Sequence, residues 1–561
     1  MSTTLLSVRG LSIALGSETR ATSLVQDVSF DVISGQILSI VGESGSGKSM
    51  MAKAIMGLLP PKVTASGTAT FRGENLLAEN AISPRGTGIG LVFQEPMTAL
   101  TPVLTIATQL TEALVFHGLA DKITAHRRAV EMLGRVGIPN PEQRMRQYPH
   151  ELSGGMRQRV MIAMMMLLEP DILIADEPTT ALDVTVQAQI LDLLREIVFA
   201  TKVGLILITH DMGVVAEMAS DVIVMKAGRL VEAGPVQQIF YAPSADYTRV
   251  LLDAVPSIEA TIPASPSTKS AAILSTRNLH KTFRGWHGLG SMGPKIKALD
   301  DVSLDILRGE TLALVGESGS GKSTLGRVFL RLTEVDRGTV QFENKDLLAL
   351  NGPQLRMTRR KIQMIFQDPY ASLNPRQSVG ATIAEPIIIQ GTVAKSNQRE
   401  MVDSLLKRVG LTPEMASRFP HEFSGGQRQR IAIARAIAAG PQLIIADEPT
   451  SALDVSIQSQ ILDLLASLKQ EKRLTMLFIS HDLAVVRQVA DRVAVMRQGR
   501  ILEIGPAHAV WSAPYHPYTK ALIEAAPVPD PLRKRVLRTP LSGKFSMGNL
   551  TEVAPGRWVA R

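Results

Sequence analysis

The chain has 561 residues, which is too long for one hydrophobic core, and its content of 45% apolar and 20% charged residues is typical of a soluble globular protein. The absence of cysteine excludes disulfides, thiolate zinc sites, iron–sulfur clusters and cysteine nucleophiles, and fits a reducing, cytoplasmic compartment. The formal net charge of +8 indicates a solvated basic surface, and the basic cluster Arg533–Arg538 lacks interleaved aromatic residues, so nucleic acid is not a predicted partner.

The start of the chain and its apolar runs bear on membrane insertion. Met1–Leu15 has one basic residue and no long apolar stretch, so no signal peptide is expected. The best candidate for a membrane span is Val160–Leu168, but Glu169 ends it well short of the about 20 apolar residues that a span requires. If the function is membrane transport, a partner must supply the pore.

The motifs of the first half recur in the same order in the second half. VGESGSGKS occurs at Val41–Ser49 and at Val315–Ser323, and ADEPT occurs at Ala175–Thr179 and at Ala446–Thr450. A repeat of this size is a whole domain and excludes a solenoid, whose period is about 20–50 residues. Because short apolar runs alternate with helical patterns in each half, the sequence predicts an α/β fold with two tandem ATPase domains.

Composition sets the predicted domain boundaries. Residues 1–255 form the first domain and residues 276–527 the second. The intervening Pro256–Ser275 is rich in proline, serine, threonine and alanine, which predicts a flexible linker. Beyond the second domain the periodicity fades, so residues 528–561 are expected to form an irregular C-terminal tail.

A phosphate-binding loop follows the first predicted buried strand, Ile37–Val41, and precedes a helix that begins near Met50. Gly42–Ser49 and Gly316–Ser323 fit G-x-x-x-x-G-K-[ST], in which glycines turn backbone N–H groups toward phosphate. The lysine would reach the β- and γ-phosphates, and the final serine would ligate Mg²⁺. The predicted ATP-binding residues are Gly42, Glu43, Ser44, Gly45, Ser46, Gly47, Lys48 and Ser49, with Gly316, Glu317, Ser318, Gly319, Ser320, Gly321, Lys322 and Ser323.

A glutamine follows a predicted strand in each half and precedes a mainly helical insertion. The insertions are Leu104–Tyr148 after Gln94 and Val379–Phe419 after Gln367. A glutamine in this place can contact Mg²⁺ or the lytic water, so both residues are assigned to the catalytic and metal sites. It can also sense what the insertion is doing.

An acidic pair ends a buried strand in each half, at Asp176-Glu177 and at Asp447-Glu448. Such a pair is costly unless a cation or a ligand lies beside it. We assign Asp176 and Asp447 to Mg²⁺, and Glu177 and Glu448 to the general base that polarises the attacking water. The alternative is a helix N-cap pair in a strand–helix loop, which the phosphate loop upstream in both halves makes the weaker reading.

A histidine ends a later apolar strand in each half and is followed by aspartate. Its imidazole can hydrogen-bond the γ-phosphate and the lytic water. A lone histidine is more often structural, but the matching positions of His210 and His481 favour a catalytic role.

These motifs together resemble the ATP-binding cassette family, and the resemblance extends over about Leu5–Pro527. The discriminating element is SGG, shortly before each acidic pair. In that family the signature opens a helix and caps the γ-phosphate held by the other cassette, and Ala181-Leu182-Asp183 and Ala452-Leu453-Asp454 match its D-loop. The implied signature residues are Ser153, Gly154 and Gly155 in the first half and Ser424, Gly425 and Gly426 in the second half.

Two positions depart from the family pattern. Cassettes usually stack adenine on an aromatic residue, a place that Phe283 takes in the second half and Leu15 in the first, so weaker stacking is expected there. Met156 stands where glutamine is commoner in the signature. Neither departure removes a catalytic group.

A narrower resemblance is to the ATPases of oligopeptide and dipeptide importers. It rests on an extended glutamine loop at Phe366–Pro375, with a looser copy at Phe93–Pro102, and on HPYTKALIEAAP at His516–Pro527, with an eroded copy at Ala245–Pro256. The resemblance implies two membrane permease subunits and, indirectly, an extracytoplasmic solute-binding protein. The chain would lie peripherally on the cytoplasmic face of the inner or plasma membrane, and would use ATP and Mg²⁺ to import peptides, glutathione, nickel chelates or peptide antibiotics.

The alternative function is a soluble tandem-cassette ATPase that acts on ribosomes. Proteins of that class also fuse two cassettes and lack membrane spans, but they carry a long, charged, helical linker. The linker here is short and rich in proline and serine, and the HPYT extension is present, so the sequence favours the importer.

Overall fold

The computed structural model describes most of the chain, namely residues 3–16, 22–78, 81, 84–94, 99–180, 182–255, 271–287, 291–391, 394–451, 453–533 and 545–561. Ala181 and Ala452 of the predicted D-loops, most of the predicted linker, and Lys534, Arg535 and Arg538 lie outside the described residues. Within these ranges no helix has the length and apolar character that crossing a membrane would require.

The strands of the first half form one sheet with the order β5-β4-β1-β2-β10-β9-β3-β8-β7-β6. Its strands are β1 Thr4–Leu15, β2 Thr22–Ile33, β3 Ile37–Gly42, β4 Val63–Phe71, β5 Glu74–Asn75, β6 Ile89–Val92, β7 Ile172–Asp176, β8 Gly204–Ile208, β9 Asp221–Lys226 and β10 Arg229–Pro235. The segment from β9 to β6 pairs in parallel, and the β1, β2 and β4 strands pair in antiparallel fashion.

The second half repeats this plan in two sheets, ordered β12-β11-β14-β15 and β16-β17-β18-β13-β19-β20-β22-β21. Its strands are β11 Ala272–His287, β12 Ser291–Leu307, β13 Thr311–Val315, β14 Arg337–Phe342, β15 Lys345–Asp346, β16 Ile362–Ile365, β17 Leu443–Asp447, β18 Thr475–Ile479, β19 Arg492–Arg497, β20 Arg500–Pro506, β21 Leu550–Ala554 and β22 Arg557–Ala560.

Helices cover the sheets and build the two insertions. Helices of the first half are Lys48–Ile55, Ile106–Phe116, Lys122–Arg135, Pro141–Met145, Gly154–Met166, Val184–Thr201, Met212–Met218, Val236–Tyr241 and Asp246–Asp253. Helices of the second half are Lys322–Phe329, Gly352–Lys361, Pro369–Ser372, Val379–Gln390, Gln398–Arg408, Gly425–Ala438, Val455–Lys472, Leu483–Val489, Ala507–Ser512 and Pro517–Ala525. The predicted helical insertions are therefore confirmed.

The parallel strands form where the sequence has continuous apolar runs. Every residue of β3, β7 and β8 is buried, as expected for strands covered on both faces. Connections between parallel strands need a crossover, which the helices supply. The carboxyl ends of these strands consequently lie at one edge of the sheet, where the predicted site residues follow them.

The two halves contact each other through the helix Val184–Thr201 of the first half. Its Val184 and Ala188 belong to the main apolar core of the second half, together with Leu522 and Ala525 of the helix Pro517–Ala525. The C-terminal extension of the second cassette therefore packs on the first cassette.

Two predicted boundaries are wrong. The tail 528–561 is not irregular throughout, because β21 and β22 form a hairpin that pairs with β20 through Glu503↔Val559 and Ile504↔Trp558. The predicted linker Pro256–Ser275 runs too far, because β11 begins at Ala272. The second domain thus begins earlier than residue 276 and extends beyond residue 527.

Candidate nucleotide sites

Four neighbouring parallel strands of the first half deliver the predicted site residues to one edge of the sheet. β3 leads into the phosphate loop, β8 is followed by Thr209 and His210, β7 ends in Asp176 with Glu177 after it, and β6 is followed by Phe93 and Gln94. These strands are adjacent in the order β3-β8-β7-β6. The second half presents the equivalent row through β13, β18, β17 and β16.

The phosphate loop wraps around its own lysine in both halves. Lys48 Nζ donates to Gly42 O and Glu43 O, each at 2.8 Å, and Lys322 Nζ donates to Gly316 O and Glu317 O at the same distances. Both lysines are buried, and burial lowers their pKa. Ser46 Oγ and Ser320 Oγ also accept from these lysines, at 3.3 and 3.4 Å. All of the hydrogen-bond partners of the buried ammonium are therefore neutral, and a phosphate would supply a full counter-charge.

The first glycine of the loop is required by close backbone approach. Gly42 has φ 146°, and a Cβ atom there would lie 2.1 Å from Met225 O of β9. The equivalent contact at Gly316 is 2.0 Å from Met496 O. Any larger residue would push the loop off the sheet edge.

A serine hydroxyl and an aspartate carboxylate meet beside each loop. Ser49 Oγ donates to Asp176 Oδ1 at 3.0 Å, and Ser323 Oγ donates to Asp447 Oδ1 at 2.9 Å. Burial, with the charge of the adjacent glutamate, raises the pKa of both aspartates. A nearby cation would favour the charged form of the aspartate. The hydroxyl oxygen and the carboxylate oxygen are ligands of the kind that Mg²⁺ prefers.

Three side chains hold the glutamate of the first half. Gln94 Nε2 donates to Glu177 Oε2 at 2.8 Å, Thr180 Oγ1 donates to the same oxygen at 2.9 Å, and His210 Nδ1 lies 3.3 Å from Oε1.

The second half repeats the arrangement. Gln367 Nε2 donates to Glu448 Oε2 at 2.7 Å, and His481 Nδ1 lies 3.2 Å from Oε1. The structure thus brings the predicted glutamine, glutamate and histidine together in each half.

The glutamate and histidine of each half are close enough to form an ion pair when the imidazole is protonated. Burial opposes the charged glutamate, but the hydrogen bond and the charge of the histidine prevail, so the pKa of Glu177 and of Glu448 lies below its usual value. Burial likewise opposes the charged imidazole, and the glutamate prevails in raising the pKa of His210 and of His481. The carboxylate is therefore kept in its basic form.

The backbone of the two glutamates is held in a left-handed conformation. Glu177 has φ 47° and Glu448 has φ 48°, values that cost a non-glycine residue about 1–3 kcal/mol. A hydrogen bond to the neighbouring strand fixes each residue, from Glu177 N–H to Ile208 O and from Glu448 N–H to Ile479 O, both at 2.9 Å. The same backbone strain at equivalent residues of both halves indicates that this conformation serves to orient the carboxylate.

The signature serine caps the helix that follows it. Ser153 Oγ accepts from Met156 N–H at 3.3 Å, and Ser424 Oγ accepts from Gln427 N–H at 3.4 Å. A Cβ atom at Gly155 would lie 2.4 Å from Val186 Cγ1, so this glycine also permits helix packing. Both serines are exposed at a helix N-terminus. That they contact ATP on the opposite cassette stays a prediction.

The D-loop of the first half contacts the phosphate loop of the second half. Ser318 N–H donates to Asp183 Oδ2 and Thr185 Oγ1 donates to Glu317 Oε1, each at 3.4 Å. A cavity of about 160 Å³ lies between the halves and is lined by His210 and His481. The two sites therefore face each other across one interface.

The predicted adenine platforms lie on antiparallel strands. Leu15 ends β1 and Phe283 lies within β11, and both side chains are 44% exposed. Lys281 Nζ lies 5.4 Å from the centre of the Phe283 ring. Their roles in adenine binding stay predictions.

Thr180, which donates to the carboxylate of Glu177, was not predicted from the sequence as a site residue. Its signal was the second threonine of the motif ADEPTT, whose counterpart Ser451 donates instead to the backbone carbonyl of Glu448 at 3.2 Å. The contact of the HPYT extension with the phosphate loop was also not predicted: Glu317 N–H donates to Tyr518 Oη at 3.3 Å.

This fold and this pair of sites define a tandem phosphate-loop ATPase. The family model of the ABC transporter matches residues 25–180 and 299–451, which is more than half of the chain, so the chain belongs to the ABC transporter family. The model of the oligopeptide/dipeptide transporter C-terminal region matches residues 231–284 and 502–548.

Similar proteins share this double-cassette organisation over their whole length. The glutathione import ATP-binding protein GsiA of Salmonella choleraesuis (strain SC-B67) is 46% identical, over 99% of this chain and 96% of that protein. The protein of the same name from Escherichia coli (strain K12) is 45% identical over the same shares. The chain is an ATPase that energises an importer, and the ribosome-associated alternative is not supported.

Proposed function

We propose that each half binds one ATP with Mg²⁺, with the triphosphate on Lys48 and its loop in the first half and on Lys322 in the second. The observation that carries this proposal is the buried lysine, hydrogen-bonded to neutral carbonyl and hydroxyl oxygens of its loop, beside a serine–aspartate pair in both halves. Ser49 with Asp176, and Ser323 with Asp447, would hold Mg²⁺, which neutralises developing phosphate charge when bound.

Glu177 and Glu448 act as general bases toward the attacking water. The hydrogen bond from the adjacent histidine lowers the pKa of each carboxylate, which would therefore accept a proton only as the water attacks the γ-phosphate. Gln94 and Gln367 orient the same carboxylate and report on the helical insertion that follows them. His210 and His481 donate toward the γ-phosphate once it arrives.

The two sites are completed across the interface between the halves. The contacts of Asp183 and Thr185 with the second phosphate loop support this arrangement. By the family pattern Ser153–Gly155 cap ATP on the second loop and Ser424–Gly426 cap ATP on the first. ATP then holds the halves together, and loss of the γ-phosphate releases them.

The imported solute is a short peptide of the glutathione class. The similarity to glutathione import proteins over 99% of the chain supports this choice. Two permease subunits receive the helical insertions, which carry exposed apolar side chains such as Phe116 and Ile123, 83% and 84% exposed, and Ile389, 74% exposed. The chain lies on the cytoplasmic face of the membrane, and a solute-binding protein delivers the cargo from outside.

Uptake of labelled glutathione and of labelled dipeptides tests the proposal. Cells that lack the chain should regain uptake with the wild type and should fail to regain it with Glu177→Gln plus Glu448→Gln. The surface variant Glu74→Gln, whose side chain is exposed on β5 outside the sites and the insertions, serves as a matched control. Uptake of neither solute by the complemented wild-type cells would contradict the proposed cargo, and uptake restored by the double variant would contradict the proposed base.

A further inference from the structure

The C-terminal segment 545–561 is bound to the second cassette by a buried ion pair. Arg557, 5% exposed, donates through Nη2 to Glu503 Oε1 at 2.7 Å, and Glu503 has no exposed surface. The guanidinium also lies 4.1 Å from the centre of the Tyr515 ring and donates to Ala513 O. A buried charge pair of this kind fixes the segment in one place, because separating it leaves a charge without a partner.

The beginning of this segment packs on the HPYT motif. The Phe545 ring meets the Tyr518 ring edge to face, with 5.7 Å between their centres. The guanidinium of Arg497 lies over both rings, 5.0 Å from the centre of Tyr518 and 4.6 Å from that of Phe545. His516 Nε2 hydrogen-bonds Ser546 O at 3.0 Å. Tyr518 is thereby held from one side by the tail.

The other end of Tyr518 reaches the second phosphate loop. Its buried hydroxyl accepts a hydrogen bond from Glu317 N–H at 3.3 Å. The carbonyl of the same residue accepts from Lys322 Nζ at 2.8 Å. A continuous set of contacts therefore runs from Phe545 through Tyr518 to the residue that anchors the phosphate-binding lysine.

The first cassette offers an internal comparison. Tyr247 takes the place of Tyr518 on the first extension, and Lys226 takes the place of Arg497, 4.3 Å from the centre of the Tyr247 ring. Among the described residues no aromatic side chain packs on Tyr247 as Phe545 does on Tyr518. Glu232 accepts from Ser244 and Ala245, where Glu503 has an arginine as well. The tail thus reinforces one of two similar sites.

We propose that residues 545–561 are an intramolecular clamp that positions the second phosphate loop for ATP, with Phe545 and Tyr518 as the positioning residues. The proposal rests on the assignment of ATP to Gly316–Ser323. A loop held at Glu317 keeps its N–H groups in the binding arrangement before the nucleotide arrives, so less conformational freedom is lost on binding. In the part of the chain that the structure describes, no counterpart of Phe545 supports Tyr247 beside the first loop, so we expect the two sites to be unequal.

Titration of the full chain with a fluorescent ATP analogue tests the clamp at each site separately. Lys48→Ala leaves binding at the second site only. In that background Tyr518→Phe, which keeps the ring and removes the hydroxyl, should weaken binding about two- to tenfold, the range expected for one hydrogen bond. Phe545→Ala should weaken nucleotide binding to a similar extent, whereas Phe545→Tyr, which keeps an aromatic ring, should bind as tightly as the parent.

Lys322→Ala provides the matched background with the first site only, where Phe545→Ala should leave affinity unchanged. Equal affinity of the parent and the Tyr518→Phe variant at the second site would overturn the clamp, as would equal loss at both sites on Phe545→Ala. Thermal unfolding of each variant separates a loss of fold from a loss of positioning. Binding that survives in the Lys48→Ala plus Lys322→Ala variant would instead refute the ATP assignment itself.

Discussion

The backbone conformation and the neighbouring side chains together fix the position and the charge of the carboxylates of Glu177 and Glu448. The left-handed backbone aims each carboxylate, the histidine keeps it charged, and the glutamine binds its second oxygen. Replacing the carboxylate with an amide keeps the size and shape of the side chain but removes the proposed base. The two positions therefore allow a test in which geometry is nearly constant.

Glu177→Gln and Glu448→Gln should each reduce ATP hydrolysis at their own site by about 10²–10⁴-fold and trap ATP there, because a positioned general base contributes that much. Steady-state phosphate release and retention of labelled ATP measure the two effects. Glu74→Gln, exposed on β5, should match the wild type. Wild-type turnover in either single variant would mean that its site is idle or uses another base.

Leu15 and Phe283 should give the two sites unequal adenine affinity. Stacking on an aromatic ring contributes about 0.5–1.5 kcal/mol beyond burial of area. Leu15→Phe should therefore tighten nucleotide binding at the first site about two- to tenfold, and Phe283→Leu should weaken it at the second by a similar factor. Titrations in the single-site backgrounds Lys322→Ala and Lys48→Ala resolve the two. Unchanged affinity in both variants would place the adenine elsewhere.

The helix Pro517–Ala525 depends on the protonation state of its N-cap residue, His516. His516 Nδ1 accepts from Tyr518 N–H at 3.1 Å, so in the neutral ring the proton lies on Nε2, which donates to Ser546 O. Burial lowers the pKa of His516, with Arg497 adding to this effect and Glu503 and Ser546 opposing it. The folded helix therefore requires the neutral imidazole.

The sign of the resulting pH dependence follows from linkage. Below the ordinary pKa of about 6.5, His516 binds a proton more readily in the unfolded state than in the folded state. The free energy of unfolding should therefore decrease as the pH falls below that value. Thermal unfolding between pH 7.5 and pH 5.5 should show a larger loss for the wild type than for His516→Asn, whose amide can cap without titrating. Parallel curves for the two proteins would contradict this role. The equivalent helix of the first half should not show this pH dependence, because its N-cap residue, Ala245, provides no side-chain cap.

Local sequence patterns predicted the parallel core of each half and the row of candidate site residues along its edge. Each strand, such as Ile172–Asp176, is a short apolar run whose polar neighbours fall at the same sheet edge. The outer antiparallel strands were not predicted, because segments such as Thr4–Leu15 alternate between buried and exposed residues and pair with an irregular register. The hairpin in the C-terminal tail was not predicted, because the ion pair that fixes it, between Arg557 and Glu503, joins residues far apart in the sequence.

The arrangement of the halves also depends on long-range contact. The meeting of Asp183 with Ser318 requires the D-loop of one cassette to reach the loop of the other, which motif spacing alone does not specify. Because both partners lie in one chain, the composite sites can form within a single polypeptide. The transporter should then contain one copy of this chain per two permease subunits.

The absence of cysteine makes this arrangement directly testable. Asp183→Cys with Ser318→Cys, treated with a short thiol-reactive crosslinker, should give a product that keeps the 60.6 kDa mass of one chain. Each single variant is the control, because it has no second thiol within the chain. ATP should increase the yield, since it draws the halves together, and native mass measurement of the purified transporter should find one chain per permease pair. A crosslinked product of twice the chain mass, or two chains per permease pair, would show that the halves close on a second copy rather than on each other.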